Sequence, residues 1–490
     1  MPDLIAALDA GTTSTRCVLF DASGRPVASA QKEHRQITPR PGWLEHDPAE
    51  LLENARQVIA DAMTWANATA EGVVALGITN QRETTMLWNP DTGVPVANAI
   101  VWSDARTADL CDELKADGGI DRFRDETGLP VATYFSGTKL KWLLHHHKPA
   151  GDLCFGTVDA WLLYNLTGRH ATDLTNASRT LMWSMDSLDW DDRLLATFDA
   201  TRGMMPDRQP SVGGDFGEVT DGPLKNVPVT AVLGDQQAAL FGQCCFEAGE
   251  AKDTYGTGCF LLMHTGNNRV ASTHGLLTTP ACQVKGESPT WALEGSVAVA
   301  GSAVQWLRDN LGLIGSSAEV EPLANSVEDS GGVFFVPAMG GLFAPHWDST
   351  ARGTVVGITQ QMTAAHLARA TLDATCYQSA DVFDAMMKDS NRSLATLNVD
   401  GGMTVNDRLL QFQADLLGVP VCRPKNVEST AAGAAYAAGL AVGFYESKQA
   451  LRDAREVDQI FEPTLGEGDR RHLRARWADA VARARGWAMA

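Results

Sequence analysis

Long hydrophobic runs are lacking in this sequence of 490 residues. The longest run of small apolar residues, 431–444, is shorter than the roughly 20 residues that a membrane-spanning helix needs. The N-terminus also lacks a basic segment followed by an apolar one, which is the pattern of a secretory signal. We therefore expect no transmembrane segment and a cytoplasmic location.

Positive charge is also scarce. The chain has 40 Lys and Arg residues against 60 Asp and Glu residues, which gives a formal net charge of −20. Proteins that bind nucleic acid hold the phosphate backbone with clustered cations, so this balance excludes a general nucleic-acid binder. Hydrophobic residues make up 44% of the chain, which is typical of a globular protein, and the length favours two or more domains.

Cysteine pairing is the third feature that is missing. The nine cysteines are odd in number and show no CxxC spacing, and several lie inside apolar segments. Such a pattern favours buried thiols in a reducing compartment over a disulfide framework.

The common nucleotide-binding motifs GxxxxGK[ST] and GxGxxG are absent, so any nucleotide must be held in another way. The first predicted hairpin offers a different kind of phosphate site. A strand at residues 4–8 is followed by Asp9 and by a Gly-Thr-Thr-Ser turn at residues 11–14. Backbone N–H groups and hydroxyls in such a turn can form an anion site, and Asp9 beside it could hold Mg²⁺. The alternative is an ordinary solvated hairpin turn.

The hairpin pattern occurs twice. Predicted strands at 4–8, 16–20 and 26–30 form a meander, and residues 251–272 repeat the design, with a Gly256-Thr257-Gly258 turn, a strand at 259–263 and another at 269–272. Two such turns facing each other across a cleft would form a clamp for one nucleotide. We therefore predict a duplicated core.

Helical and strand patterns alternate through the rest of the chain, which predicts α/β layers in two halves. We place the boundary between residues 246 and 247, giving domains 1–246 and 247–490. Predicted helices lie at 48–64, 105–117, 304–310, 364–388, 406–417 and 431–443, and predicted strands at 73–79, 99–102, 229–233, 332–336 and 396–400.

A series of motifs in a fixed order gives a more specific indication: ALDAGTTSTR, GITNQRETT, IVWSDART, YFSGTKLKW, TNASRT, GDQQAALFGQ, TYGTGCFLLM, ALEGSVAVAGSAVQWLRD and VDGGMTVNDRLLQFQADLLG. With them the sequence resembles the FGGY family of carbohydrate kinases along nearly its whole length, and its glycerol-phosphorylating members in particular. The resemblance implies a two-domain ribonuclease H-like (actin/hexokinase-type) α/β fold with a duplicated core and an interdomain cleft.

The implied activity is ATP-dependent phosphorylation of glycerol to sn-glycerol 3-phosphate with release of ADP, the first step of glycerol catabolism. ATP and Mg²⁺ are the implied cofactors, and a homo-oligomer, dimer or tetramer, is the implied assembly. Two other hypotheses for the function stay open. One is the same chemistry on another polyol or ketose, and the other is an actin-like ATPase.

The resemblance also assigns roles in the glycerol site. Asp235 in the GDQQ motif would be the general base, with Asp9 as the second catalytic and metal-binding carboxylate. Glycerol hydroxyls would bond Asp235 and the side chains of Arg82, Glu83, Tyr134 and Gln236, while Trp102 and Phe260 would sandwich its carbon atoms. From the residues alone, an N-cap role for Asp235 is the alternative.

The resemblance also implies which residues bind the nucleotide. The resemblance places the first turn around the phosphates, the second turn opposite it, and a glycine pair at 401–402 near the adenine. The residues concerned are Thr12, Thr13, Ser14, Arg16, Thr257, Gly258, Gly301, Gln305, Gly402 and Asn406. Glycine lets a flat base approach the backbone, although a loop into the next helix would also explain the pair.

Overall fold

The computed structural model describes residues 3–488. Its first large sheet has five strands in the spatial order β13-β5-β1-β2-β3, of which β1 pairs antiparallel with β2 and parallel with β5. The strands are β1 (Leu4–Ala10), β2 (Ser14–Phe20), β3 (Pro26–Glu33), β5 (Val73–Asn80) and β13 (Val229–Gly234). The predicted first meander is therefore present.

The second large sheet has seven strands in the order β16-β17-β15-β14-β20-β21-β22. They are β14 (Ala251–Tyr255), β15 (Cys259–Gly266), β16 (Leu277–Cys282), β17 (Thr290–Val297), β20 (Leu397–Asp400), β21 (Val421–Pro424) and β22 (Val457–Phe461). The run β17-β15-β14-β20-β21 repeats the order and the directions of β3-β2-β1-β5-β13.

The predicted third strand of the second copy, residues 269–272, is wrong. The strand that pairs with β15 in that position is β17, which begins only at Thr290. Residues 272–274 instead turn around the buried carboxylate of Asp389, which accepts hydrogen bonds from Ser272 Oγ and Thr273 Oγ1 at 2.6 and 3.0 Å. A side chain from a distant helix thus determines this conformation.

Short strands form five two-stranded pairs: β4 (Glu45–His46) with β7 (Ala99–Ile100), β6 (Met86–Trp88) with β8 (Cys154–Gly156), β9 (Ala171–Asp173) with β12 (Asp207–Gln209), β10 (Trp183–Ser184) with β11 (Asp189–Trp190), and β18 (Phe334–Val336) with β19 (Thr354–Val356).

Fifteen α-helices lie within residues 3–488: α1 (Pro48–Trp65), α2 (Ala108–Ala116), α3 (Arg124–Thr127), α4 (Ser136–His147), α5 (Val158–Thr167), α6 (Leu174–Ala177), α7 (Asp192–Thr197), α8 (Asp235–Gly242), α9 (Gly301–Asp309), α10 (Val320–Asn325), α11 (Ala364–Ser390), α12 (Asp407–Leu417), α13 (Ser429–Ala441), α14 (Lys448–Ala454) and α15 (Glu467–Ala484). None of them is both long and apolar enough to cross a membrane. Each predicted helix is present with shifted ends.

Strand β1 is buried on both faces. Successive side chains of a strand point to opposite sides, so Leu4 and Leu8 join the core that contains α1, whereas Ile5 joins the core that contains α13. Strand β1 is therefore fixed between two layers, and the turn that follows it has a rigid base.

Helices α8 and α13 cross at very short range, and both pack beside the first sheet. A Cβ atom added to Gly433 would lie 1.8 Å from the carbonyl oxygen of Ala238, and one added to Gly242 would lie 2.0 Å from that of Ser429. The two helices therefore approach at a distance that only glycine permits. Helix α13 belongs by sequence to the second predicted domain, and the boundary at residue 246 stays a prediction.

Replacing Gly433 tests this crossing. We expect Gly433→Ala to lower the free energy of unfolding by about 1–3 kcal/mol, because the overpacking cost exceeds the gain in helix propensity. Gly468→Ala is the control, since nothing lies within 4 Å of its added Cβ in α15, and it should cause no loss. Urea denaturation would measure both, and equal stabilities would contradict the close crossing.

Candidate active site

Three strand ends meet at one edge of the first sheet. Ala10 of β1 pairs with Asn80 of β5, which pairs in turn with Gly234 of β13. The chemistry of α/β proteins is found at the carboxyl ends of parallel strands. Asp9, the Arg82-Glu83 pair and Asp235 lie at or just after these ends, so the register brings together residues that are far apart in sequence.

The β1–β2 turn has its carbonyl groups held from behind. Gln81 Nε2 donates to Gly11 O at 3.1 Å, while His34 Nε2 and Gln36 Nε2 bond Thr12 O at 2.7 and 3.0 Å. In a trans peptide the N–H points away from the C=O. Within residues 3–488 the N–H groups of residues 12 and 13 have no protein acceptor, so they remain available to an anion.

His46 lies behind this turn, and its hydrogen bonds suit the neutral imidazole. His46 Nδ1 accepts from Gln81 Nε2 at 3.2 Å, and its Nε2 donates to Gln36 Oε1 at 3.1 Å. Protonation of His46 would put an N–H group on Nδ1, facing the N–H group that Gln81 Nε2 donates. Burial, with a smaller contribution from His34, lowers the pKa of His46 from 6.5 to about 3.

This depressed pKa predicts acid sensitivity. The unfolded chain takes up a proton on His46 below about pH 6.5, while the folded chain does not until about pH 3. Stability is therefore lost as pH falls, by about 2 kcal/mol between pH 6.5 and 5. We expect His46→Gln to reduce the pH dependence of the unfolding free energy by that amount. His472→Gln, at an exposed position, should retain the wild-type slope, and a wild-type slope in His46→Gln would contradict the assignment.

The β14–β15 turn is held in a similar manner. The backbone N–H groups of Ala300 and Gly301, at the start of α9, donate to Thr257 O and Gly256 O at 2.9 and 3.0 Å. The N–H groups of residues 257 and 258 bond no acceptor in the described part of the chain. Gly258 admits no side chain, because an added Cβ would lie 2.3 Å from Val297 O.

A cavity of about 430 Å³ lies behind the second turn. Five of the predicted nucleotide residues line it, together with apolar side chains such as Val304 and Met403; the five are Thr257, Gly301, Gln305, Gly402 and Asn406. Asn406 is also the N-cap of α12, because its Oδ1 accepts from Leu409 N at 2.8 Å. This size and this mixture of apolar walls and few polar groups suit a nucleobase.

Two predicted phosphate residues on β2 already have protein partners. The guanidinium of Arg16 forms an ion pair with Glu428 and bonds Gln31 Oε1 at 2.7 Å, and Ser14 Oγ accepts from Gln31 Nε2 at 2.8 Å. A phosphate would have to compete with Glu428 for Arg16. The turn residue Thr13 is exposed.

Asp235 is the first residue of α8, and Gly234 is the N-cap, so the N-cap alternative for Asp235 is wrong. Its side chain is 26% exposed, and Arg82 Nε lies 3.2 Å from its Oδ1. Burial raises the pKa of Asp235 above its ordinary value, while Arg82 and Lys252 oppose that rise. A carboxylate with a raised pKa is a better proton acceptor than an ordinary one.

Glu83 has a strained backbone. Its φ of 62° lies in the left-handed region, which is uncommon for residues other than glycine. Its carboxylate accepts from Arg179 Nε at 2.5 Å, and its carbonyl accepts from Ser136 Oγ at 3.0 Å. Such strain is typical of functional sites, where the surrounding structure holds it in place.

Three charged residues around this edge, Glu294, Arg179 and Lys252, were not predicted from the sequence. Glu294 of β17 bonds both Arg82 and Arg179, and Lys252 Nζ donates to Gln236 Oε1 at 2.5 Å. Burial acts to raise the pKa of Glu294, but Arg179 and Arg82 outweigh it and lower the pKa to about 2. For Glu294 the available signal was a lone charge inside an apolar strand, because charged groups are seldom buried without a partner.

The predicted aromatic residues do cluster. Trp102 meets Tyr134 at a centroid distance of 5.4 Å and Phe260 at 5.9 Å, both edge to face. The rings of Trp102 and Phe260 therefore do not enclose a slot between parallel faces in this conformation. Trp102 Nε1 also donates to Thr12 Oγ1 at 3.0 Å, which connects this cluster to the first turn.

Asp9 has the chemistry of a cation ligand. Burial raises the pKa of Asp9 to about 7, Arg16 opposes the rise, and Asp235 adds to it. No side-chain or turn N–H group in the described residues donates to its carboxylate. The described residues also contain no cluster of three metal-binding side chains. One carboxylate fits Mg²⁺, which commonly keeps waters and binds substrate phosphates.

Comparison with known families agrees with this geometry. Residues 4–242 match the N-terminal domain of the FGGY family of carbohydrate kinases, and residues 251–442 match the C-terminal domain of that family. The chain belongs to the FGGY family of carbohydrate kinases. Among relatives in this family, the glycerol kinase of Chloroflexus aurantiacus is 54% identical over 99% of this chain and all of its own.

Two further FGGY relatives extend the comparison. The glycerol kinase of Methylorubrum extorquens is 53% identical, with 99% of both chains covered. The solved structure of Plasmodium falciparum glycerol kinase with ADP superposes with a TM-score of 0.91 at 35% identity, covering 99% of this chain and 98% of that one. The predicted two-domain ribonuclease H-like fold of the actin and hexokinase type is confirmed.

Proposed function

We propose that this chain transfers the γ-phosphoryl group of ATP to glycerol, giving sn-glycerol 3-phosphate and ADP. The observation that carries this proposal is full-length identity of 53–54% to glycerol kinases. The geometry supports it, because a carboxylate with a raised pKa lies at the same sheet edge as a turn with free N–H groups.

The reaction needs little covalent chemistry from the protein, since phosphoryl transfer depends mainly on positioning and on charge neutralisation. Asp235 takes the proton from the attacking glycerol hydroxyl. The new bond joins that oxygen to the γ-phosphorus, while the bond from this phosphorus to the bridging oxygen breaks and ADP leaves. The guanidinium of Arg82 forms an ion pair with the Asp235 carboxylate, with Nε 3.2 Å from Oδ1.

Glycerol is a small triol, and the residues proposed for its site match that chemistry. Arg82, Glu83, Tyr134 and Gln236 bond its hydroxyls, and the rings of Trp102 and Phe260 contact its carbon atoms. Since these two rings now lie edge to face, we infer that they separate or rotate when glycerol enters.

The nucleotide spans both turns in this proposal. Residues 12–14 and Arg16 bind the phosphates from the first sheet, Thr257 and Gly258 bind them from the second, and the 430 Å³ cavity holds the adenine. Asp9 would hold Mg²⁺, which supplies positive charge to the phosphates. With a net charge of −20 the protein does not attract ATP at long range, so binding depends on these local donors.

We also propose a division into domains 1–246 and 247–490, whose closure over both substrates excludes water. A cytoplasmic location and assembly into a homo-oligomer, dimer or tetramer, complete the proposal. Light scattering of the purified chain would measure its mass, and a monomer at micromolar concentration would contradict the assembly.

A coupled assay of ADP release tests the function. We expect Mg²⁺-dependent turnover with glycerol at least tenfold faster than with xylulose, ribulose, gluconate or no acceptor. Faster turnover with one of the other acceptors would replace glycerol in the proposal. ADP release that is independent of every acceptor would favour an ATPase instead.

A further inference from the structure

Glu294 connects the two large sheets at the proposed polyol site. It lies on β17 of the second sheet, its side chain is fully buried, and both of its oxygens accept hydrogen bonds. Oε1 and Oε2 receive Nη2 and Nη1 of Arg82 at 2.6 and 2.8 Å, and Nη2 and Nη1 of Arg179, each at 3.2 Å. Both arginines follow strands or helices of the first half of the chain.

We propose that Glu294 is a positioning residue for the polyol site, which orients Arg82 directly and Glu83 through Arg179. This inference rests on the proposed function, because it assigns Glu294 to the same site. It goes beyond that function by making the second sheet a determinant of polyol binding.

The contacts of Arg82 hold its guanidinium in one orientation. Each of its two terminal nitrogens donates to Glu294, and Nη1 also bonds Gln237 Oε1 at 3.0 Å. The remaining Nε faces Asp235 at 3.2 Å. A bidentate pair fixes the plane of the guanidinium. The orientation of Arg82 toward Asp235 is therefore determined by Glu294.

Glu294 also holds Glu83 in place, through Arg179. Arg179 donates its Nε to Glu83 and its two terminal nitrogens to Glu294, so it bridges the two carboxylates. The strained φ of Glu83 leaves its position dependent on such surrounding contacts. Without Glu294, the terminal nitrogens of Arg179 would have no hydrogen-bond partner among residues 3–488.

The stability of the fold gives only a weak reason for burying Glu294 with two arginines. Burying charges is costly, and a buried ion pair is often no more stabilising than apolar residues of the same volume. Glu294 pairs with Leu262 of β15, the strand that begins at the β14–β15 turn. The strand that carries Glu294 is therefore paired directly with the strand that begins at the proposed phosphate turn.

The test compares three variants with the wild type. Glu294→Gln keeps the size but loses one acceptor oxygen and the charge, Glu294→Asp keeps the charge on a shorter side chain, and Asp389→Asn removes another buried carboxylate of the second half. We expect Glu294→Gln to raise the KM for glycerol by about 10- to 100-fold and to lower kcat, with the KM for ATP within twofold.

Two comparisons separate positioning from a general loss of structure. Glu294→Asp should recover part of the glycerol KM, and Asp389→Asn should leave both KM values unchanged. A wild-type glycerol KM in Glu294→Gln, or equal changes in both KM values, would overturn the proposal.

If Glu294→Gln does not accumulate as folded protein, the Arg179→Lys variant tests the proposal in its place. Lysine keeps the charge but cannot bridge Glu83 and Glu294, so a raised glycerol KM supports the proposal and a wild-type KM overturns it. The wild type is assayed first with all the acceptors. Should it prefer another one, the proposed function fails, and the variants are compared with that acceptor.

Discussion

Asp235→Asn is expected to lower kcat for glycerol phosphorylation by about 100- to 10,000-fold, with the affinity for ATP changed less than about threefold. Asparagine keeps the size of the side chain but cannot take a proton from the hydroxyl. It also keeps an oxygen beside Arg82, whose Nε lies 3.2 Å from the Asp235 carboxylate. Steady-state kinetics would measure turnover, and calorimetry would measure ATP binding.

The matched control for this variant is Asp192→Asn, since Asp192 is also the first residue of a helix but is exposed. It should retain wild-type turnover. If Asp235→Asn kept more than a tenth of the wild-type kcat, Asp235 would not be the general base.

Asp9→Asn is expected to lower kcat by about 100-fold or more and to raise the Mg²⁺ concentration needed for half-maximal rate. A cation contributes several kcal/mol of charge stabilisation to phosphoryl transfer, and an amide holds it more weakly than a carboxylate. Magnesium titration of the rate would show the first effect. Calorimetry of ADP binding with and without Mg²⁺ provides a readout that is independent of turnover.

Asp3→Asn is the control for Asp9, because Asp3 is exposed and precedes the other end of β1. It should change neither quantity. An unchanged Mg²⁺ requirement in Asp9→Asn would show that the cation is held elsewhere.

The local part of the fold could be predicted from the sequence. The first hairpin, its turn and helix α1 have short-range signals, namely apolar runs, a Gly-Thr-Thr-Ser turn between them and an Asp47 N-cap followed by proline. The third strand of the second copy could not be predicted in the same way. Residues 267–289 separate β15 from β17, and the contact that bends this segment comes from Asp389.

In the candidate site, too, residues within short motifs could be predicted, whereas contacts between distant parts of the chain could not. Asp9, Glu83 and Asp235 lie at or just after strand ends within short motifs, so the sequence indicated them, although it did not reveal the positive φ of Glu83. Glu294 lies 212 residues from Arg82 in the chain, and no periodicity reports a contact over that distance. The edge-to-face packing of Trp102 on Phe260 likewise depends on how the two halves meet.

The most direct test of the central claim is a crystal structure of the protein with ADP, Mg²⁺ and glycerol. We expect the phosphates to lie between the turns at residues 11–14 and 256–258, with a glycerol hydroxyl within hydrogen-bonding distance of the Asp235 carboxylate. Nucleotide bound away from both turns, or glycerol bound away from Asp235, would contradict the account.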